Sequence, residues 1–272
     1  MPITALYDVT IVIYAASVCF YFMDYYQNNR KARRIAFWLL IIVWLLQDVI
    51  FYEKMHVTGE FPILTPLDGL FFLSWLMITF SLLLTRSDRL PFFSLFANAL
   101  GFFLMAVTLF GPDDRVSQVL SEKLMSDLLI IHITMAFIAY AAFFASFILS
   151  VMYWLEYSML KKKKWGRRLI RFSSLSKLEQ ASFVCNLAGF PLLTISLFLG
   201  IDRAIFTLSA FSWLDIKVLT SFFILFVYGF YIYQKLGRNV SGKPLVYWNA
   251  VGFLIVLINV FLSESFTGFH LW

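Results

Sequence analysis

Few side chains in this sequence can hold a metal or pass a proton, and the histidines come first among them: His56, His132 and His270. His132 interrupts the stretch Asp127 to Tyr157, DLLIIHITMAFIAYAAFFASFILSVMYWLEY, which is long enough to cross a bilayer, since a helix needs about 20 apolar residues to do so. At 3.6 residues per turn, His132 shares a face with Ala136, Ala139, Phe143 and Ser146. That face is mostly small, so another helix or a flat ligand could come close to it. An imidazole in or near hydrocarbon is costly without a partner. It is therefore either a functional group or a hydrogen-bonded histidine at a helix entrance. His270 follows Gly268, whose free φ permits a turn back over a bundle, and precedes Leu271 and the interface anchor Trp272. Two imidazoles at one depth would suit axial ligation of haem iron, because an apolar, aromatic pocket accommodates a porphyrin. Zinc or copper would want a third or fourth ligand. His56 with Glu53 or Asp68 could supply one, but these spacings match no metal motif.

The elements that must position these groups follow from composition. The chain is 61% hydrophobic, 19% aromatic and only 14% charged, whereas charged residues make up about a quarter of a soluble globular protein. Its apolar residues fall in eight blocks, about 5–23, 36–53, 63–84, 91–110, 127–155, 181–200, 214–236 and 246–264. The pattern predicts an all-α, polytopic membrane helix bundle of about eight transmembrane helices, a single membrane domain over 1–272. No connection is long enough to fold as a soluble domain. The opening MPITALYDVT has neither a positive n-region nor a small-residue cleavage site, so it is read as no signal peptide. Cys19 and Cys185 lie in separate blocks with no CxxC spacing and read as packing residues.

Charge sets the expected orientation. The loops after spans one, three, five and seven hold 17 of the 22 basic residues, among them Arg30 to Arg34, Lys161 to Lys164, Arg167, Arg168 and Arg171. The other side holds Lys54, Arg115, Lys123, Arg203 and Lys217. Basic loops stay in the cytoplasm, so both termini are expected outside and all three histidines on the extracytoplasmic side of a bacterial plasma membrane. The basic loop at 161–177 is expected to meet anionic lipids, or else an acidic cytoplasmic protein. No nucleic-acid partner is expected.

Within the spans, Gln47, Asp48, Asn249 and Asn259 should face the bundle and bond across helices. Gly189 and Pro191 predict a kink in span six. Trp213 suits an interfacial belt, with Asp215 and Lys217 opening span seven. Lys54, Arg115, Lys123 and Arg203 are the outer cations available to a ligand's carboxylates. A transporter would need polar groups through the core, and the inner halves of the spans read as nearly all apolar.

Three blocks carry a family resemblance: LLIIHITMAFIAYAAFFASFILSVMYWLE, GFPLLTISLFLG and KPLVYWNAVGFLIVLINVFLSESFTGFHLW. They resemble the corresponding blocks of the cytochrome c assembly family, the CcsA-type and ResC-type membrane proteins that handle haem. Length, eight spans and outward termini are similar to its HemX-like branch, small proteins encoded with haem-biosynthesis genes in Gram-positive bacteria. In that family, histidines at the positions of His132 and His270 bracket an outer haem site. The resemblance thus implies haem b held by His132 and His270, with Trp213 and Asp215 beside it. The cytochrome c synthases carry WxWDxKE between the histidines. Here the segment is SWLDIKV: Asp215 and Lys217 are kept, while Ser212, Leu214 and Val218 replace Trp, Trp and Glu. Tyr233 stands where span seven of the synthases has a further histidine. The resemblance therefore implies a non-catalytic haem-pathway protein. Its expected role is to hold down the level of glutamyl-tRNA reductase; a part in cytochrome c maturation and haem transport are the alternatives.

Overall fold

A computed structural model describes residues 3–58, 63, 65–85, 92–110, 127–163, 173–207, 213 and 215–265. His270, Arg115, Lys123 and loop residues 164–172 lie outside the described residues. Those described form eight helices and no strand: α1 (Ile3–Gln27), α2 (Arg30–Thr58), α3 (Pro66–Thr85), α4 (Phe93–Phe110), α5 (Asp127–Lys161), α6 (Leu175–Thr207), α7 (Ile216–Leu236) and α8 (Lys243–Ser265). Seven are long and apolar enough to span a membrane, while α4 is apolar over the shorter stretch Phe93–Leu109. At 1.5 Å per residue that stretch covers about 26 Å, a little less than the hydrocarbon thickness of about 30 Å. The all-α, multi-pass architecture is as expected.

Several helices outrun their apolar blocks. α2 starts at Arg30 rather than at 36, α5 runs to Lys161 rather than 155, and α6 covers Leu175–Thr207 rather than 181–200. Hydropathy marks only the slice that sits in hydrocarbon, whereas the backbone ladder continues until something caps it. For α2 that cap is Asn29, whose Oδ1 accepts from the N–H groups of Lys31 (3.0 Å) and Ala32 (3.2 Å). α6 continues as one helix through Pro191.

The chain divides into two compact units, Met1–Gln118 with Met159–Ser173, and Val119–Ser158 with Ser174–Trp272. In the first, α1 and α2 are joined by only Asn28, at φ 55°, and Asn29. Tyr14, Tyr21, Leu40, Val43, Ile50, Phe71 and Ile78 form a shared core. Polar groups tie its helices together: Gln47 Nε2 donates to Ser74 Oγ (3.3 Å), which donates to the Gly101 carbonyl (2.8 Å). Asp48 accepts from the Trp75 indole at 2.8 Å, a cross-helix bond of the kind expected for that carboxylate.

In the second unit, the face of α5 that carries His132 meets α6. Both helices present residues at alternating steps of four and three: 132, 136, 139, 143, 146 and 150 against 182, 186, 189, 193, 196 and 200. That 3.5-residue repeat keeps one stripe facing the partner along the whole length. The helices run antiparallel, with His132 beside Ser196, Phe143 beside Gly189 and Ser146 bonded to Ser182. Phe143 also stacks on Tyr228 of α7 with centroids 3.8 Å apart, and Phe147 stacks on Phe253 of α8 at the same spacing.

Asn249 and Asn259 bond across helices as expected. Asn249 Nδ2 donates to Ser146 Oγ (2.8 Å) and Ser150 Oγ (2.7 Å), and its Oδ1 accepts from Asn186 Nδ2 (3.3 Å). Asn259 joins Tyr140 of α5 (2.9 Å) to Thr220 of α7 (2.6 Å). The half of these spans toward the basic loop is therefore less apolar than it reads. Serines scattered singly in hydrophobic runs look inert, but the 3.5 repeat stacks them on one face. Replacing Asn249 with Ala should lower the unfolding free energy in mixed micelles by about 0.6–1.7 kcal/mol, the range for interhelical bonds in membranes. Phe226→Leu, at a side chain 65% exposed, should leave it unchanged.

Candidate functional site

His132 sits in the second turn of α5, half-buried against α6. Its Nδ1 lies 2.5 Å from the Ser196 carbonyl oxygen. A carbonyl only accepts, so Nδ1 carries the proton and donates. Ser196 is 1% exposed, and its hydroxyl in turn donates to the His132 carbonyl at 2.9 Å. Each residue thus holds the other's backbone. With the proton fixed on Nδ1, the neutral ring presents a bare lone pair at Nε2, and nothing among the described residues hydrogen-bonds to that nitrogen. This is the arrangement of a metal-ligating histidine, whose second nitrogen is oriented by a carbonyl or carboxylate.

Gly200, one turn beyond Ser196, makes room for the ring. A Cβ there would lie 2.5 Å from Cε1 and 2.8 Å from Nδ1 of His132, closer than atoms can approach. The imidazole therefore lies flat on bare backbone. Neither Ser196 nor Gly200 stands out in the sequence as a partner for an imidazole. The signal was present all the same, in the small residues of α6 recurring with the same period as those of α5.

Asp215 and Lys217 open α7. Asp215 is the N-cap, its Oδ1 accepting from the Lys217 N–H at 2.8 Å. That bond satisfies a helix-start donor which would otherwise go unpaired. Lys217 lies within electrostatic reach of both Asp215 and His132. Trp213, just before the cap, is 58% exposed, as an interfacial anchor should be.

The remaining candidates are placed differently. His56 ends α2 in the first unit, exposed, with the Tyr52 ring 6.3 Å away. Asp68, which could have joined it on a metal, instead pairs with Lys54 at 2.5 Å and accepts from the Thr65 N–H. That pairing also removes Lys54 from the cations open to a ligand. Among the described residues no three of His, Cys, Asp and Glu gather around one point. Cys19 and Cys185 are both free thiols.

A bundle of apolar helices that presents a carbonyl-oriented imidazole at one end defines a multi-pass membrane protein with a candidate metal-ligand site. The chain matches the family described as Cytochrome C assembly protein over residues 64–270, and it belongs to that family. It is 47% identical over 261 residues to Protein HemX of Bacillus subtilis (strain 168), covering 96% of this chain and 95% of the relative. Protein HemX of Brevibacillus brevis is 39% identical over 267 residues, covering 98% and 97%. Cytochrome c biogenesis protein CcsA of Prochlorococcus marinus (strain AS9601) is 26% identical over 272 residues, covering 89% and 85%. The chain is thus a HemX-like member of the family, as its blocks around His132, Gly189 and Asn249 led one to expect.

Changing Gly200 to Ala should force the imidazole off the Ser196 carbonyl. The expected cost is about 1–3 kcal/mol of stability from overpacking. In protein labelled with 15N-histidine, the Nδ1–H signal of His132 should also shift or broaden. Ser196→Ala keeps the backbone carbonyl, so it should leave that signal in place and cost less.

Proposed function

We propose that this chain is a haem-binding, haem-pathway membrane protein with no catalytic step of its own. In this reading His132 and His270, the latter outside the described residues, would together hold the iron of a haem b. The observation that carries it is the orientation of His132: its Nδ1–H is held by a peptide carbonyl, Gly200 makes room for the ring, and no described residue bonds to Nε2. When bound, haem would supply an iron centre that accepts two imidazoles. The chain's own residues hold the ring, choose its tautomer and shield one of its faces from water. Lys217, within electrostatic reach of His132, would be available to a propionate, with Trp213 and Asp215 at the same end of α7.

The relatives support a place in haem handling, since one group is named for cytochrome c biogenesis. The resemblance to HemX-like proteins favours regulation over transfer: the chain would sit in the bacterial plasma membrane, both termini outside. It would restrain the level of glutamyl-tRNA reductase through its basic cytoplasmic loop, which also meets anionic lipid. The segment SWLDIKV favours this reading over a synthase, because it lacks the tryptophans and the glutamate of WxWDxKE. The CcsA-named relatives favour a second reading, participation in cytochrome c maturation.

Purified protein should show a Soret band that is lost in the His132→Ala, His270→Ala double variant and weakened in each single one. A band surviving the double change would exclude the pair as ligands. In the source bacterium, deleting the gene should raise glutamyl-tRNA reductase on an immunoblot and leave c-type cytochromes unchanged. Loss of c-type cytochromes would instead support the second reading.

A further inference from the structure

At the opposite end of the second unit from His132, α5 and α8 leave a shallow surface groove lined by Tyr153, Trp154, Tyr157, Lys243, Val246 and Tyr247. Its base is fixed by two contacts. Glu179 of α6 pairs with Lys235 of α7 and accepts from the Gly242 N–H at 2.8 Å. Gly242 adopts φ +81°, and a Cβ there would lie 3.3 Å from the Tyr153 hydroxyl. The floor is thereby held while the two walls face outward, with Trp154 50% and Tyr247 62% exposed. Both lie near the ends of their spans, where aromatic side chains sit at headgroup level.

The groove also has an electrical sign. Lys243 Nζ lies 4.3 Å from the centroid of the Tyr157 ring, a cation–π contact that positions the ammonium without neutralising it. Among the described residues no carboxylate pairs with Lys243, and Glu179, which acts on the same Tyr153, is occupied by Lys235 and Gly242. In sequence, α5 leads directly into Lys161 to Lys164. A cation with no carboxylate partner among the described residues, above an aromatic trough with outward-facing walls, fits an amphiphile with an anionic head and a hydrocarbon tail.

We infer that this groove is a binding site for an anionic diacyl phospholipid, its phosphate at Lys243 and one acyl chain lying between Trp154 and Tyr247. This inference is independent of haem, and it assigns lipid contact to a built site on α5 and α8 as well as to the loop beyond it.

The test is Trp fluorescence of the full-length protein in bilayers of phosphatidylcholine containing a small fraction of brominated phospholipid. Subtracting the quenching in Trp154→Phe isolates Trp154. That component should be quenched by brominated phosphatidylglycerol at about fivefold lower mole fraction than by brominated phosphatidylcholine, the preference one interfacial lysine confers. The preference should vanish in Lys243→Ala and return in Lys243→Arg. It should survive replacement of Lys161 to Lys164 by Gln. Equal quenching by the two lipids in the unsubstituted protein would overturn the assignment and leave the groove to another occupant, such as an acidic protein segment. So would a preference lost with the four loop lysines but untouched by Lys243→Ala.

Discussion

The close approach of α5 and α6 is the constraint from which the second unit follows. Between helices in a bilayer there is little hydrophobic force to exploit, since lipid tails are as apolar as leucine. Association rests on shape and on bonds that cross the gap. The stripe of Ala136, Ala139 and Ser146 against Ser182, Gly189, Ser196 and Gly200 brings two backbones within reach of each other's side chains. Only then can a histidine on one helix find a carbonyl on the other, or a serine hydroxyl bridge to Ser182.

That proximity changes what His132 is. On an isolated span it would be an unsatisfied polar group needing either water or a distant acid. Against α6 it is satisfied on one side only. The bonded side, a peptide oxygen, has no charge to titrate and no rotamer to lose. The ring's direction is thus set by the register of two helices rather than by a neighbouring side chain. In the first unit polar groups meet as side-chain pairs instead: Asp48 with the Trp75 indole and Lys54 with Asp68.

Much of this was legible in the sequence. The spans could be read from the length of apolar runs, and the interhelical roles of Asn249 and Asn259 from their isolation inside such runs. The small face around His132 was visible as well, and it does receive another helix. The identity of that helix could not be read, because α6 supplies a backbone atom to the bond, and backbone atoms are the same at every position. Gly200 escaped notice for a similar reason: its contribution is a missing Cβ, meaningful only once the ring above it is known. Helix ends were misjudged where hydropathy stops before hydrogen bonding does, as at Arg30 and Lys161. Asp215, read as a candidate near the ligand site, has a helix cap to maintain in addition to anything else it does.

The link between α1 and α2 carries one more implication. With only Asn28 and Asn29 between Gln27 and Arg30, and Asp24 bound to Arg33 at 3.1 Å across the turn, the two spans have no slack with which to be laid down separately. During biosynthesis they would have to enter the bilayer as one hairpin, its tip pinned by that ion pair. The guanidinium and carboxylate that join there tie the two helix ends together, while Arg30, Lys31 and Arg34 leave the bend basic.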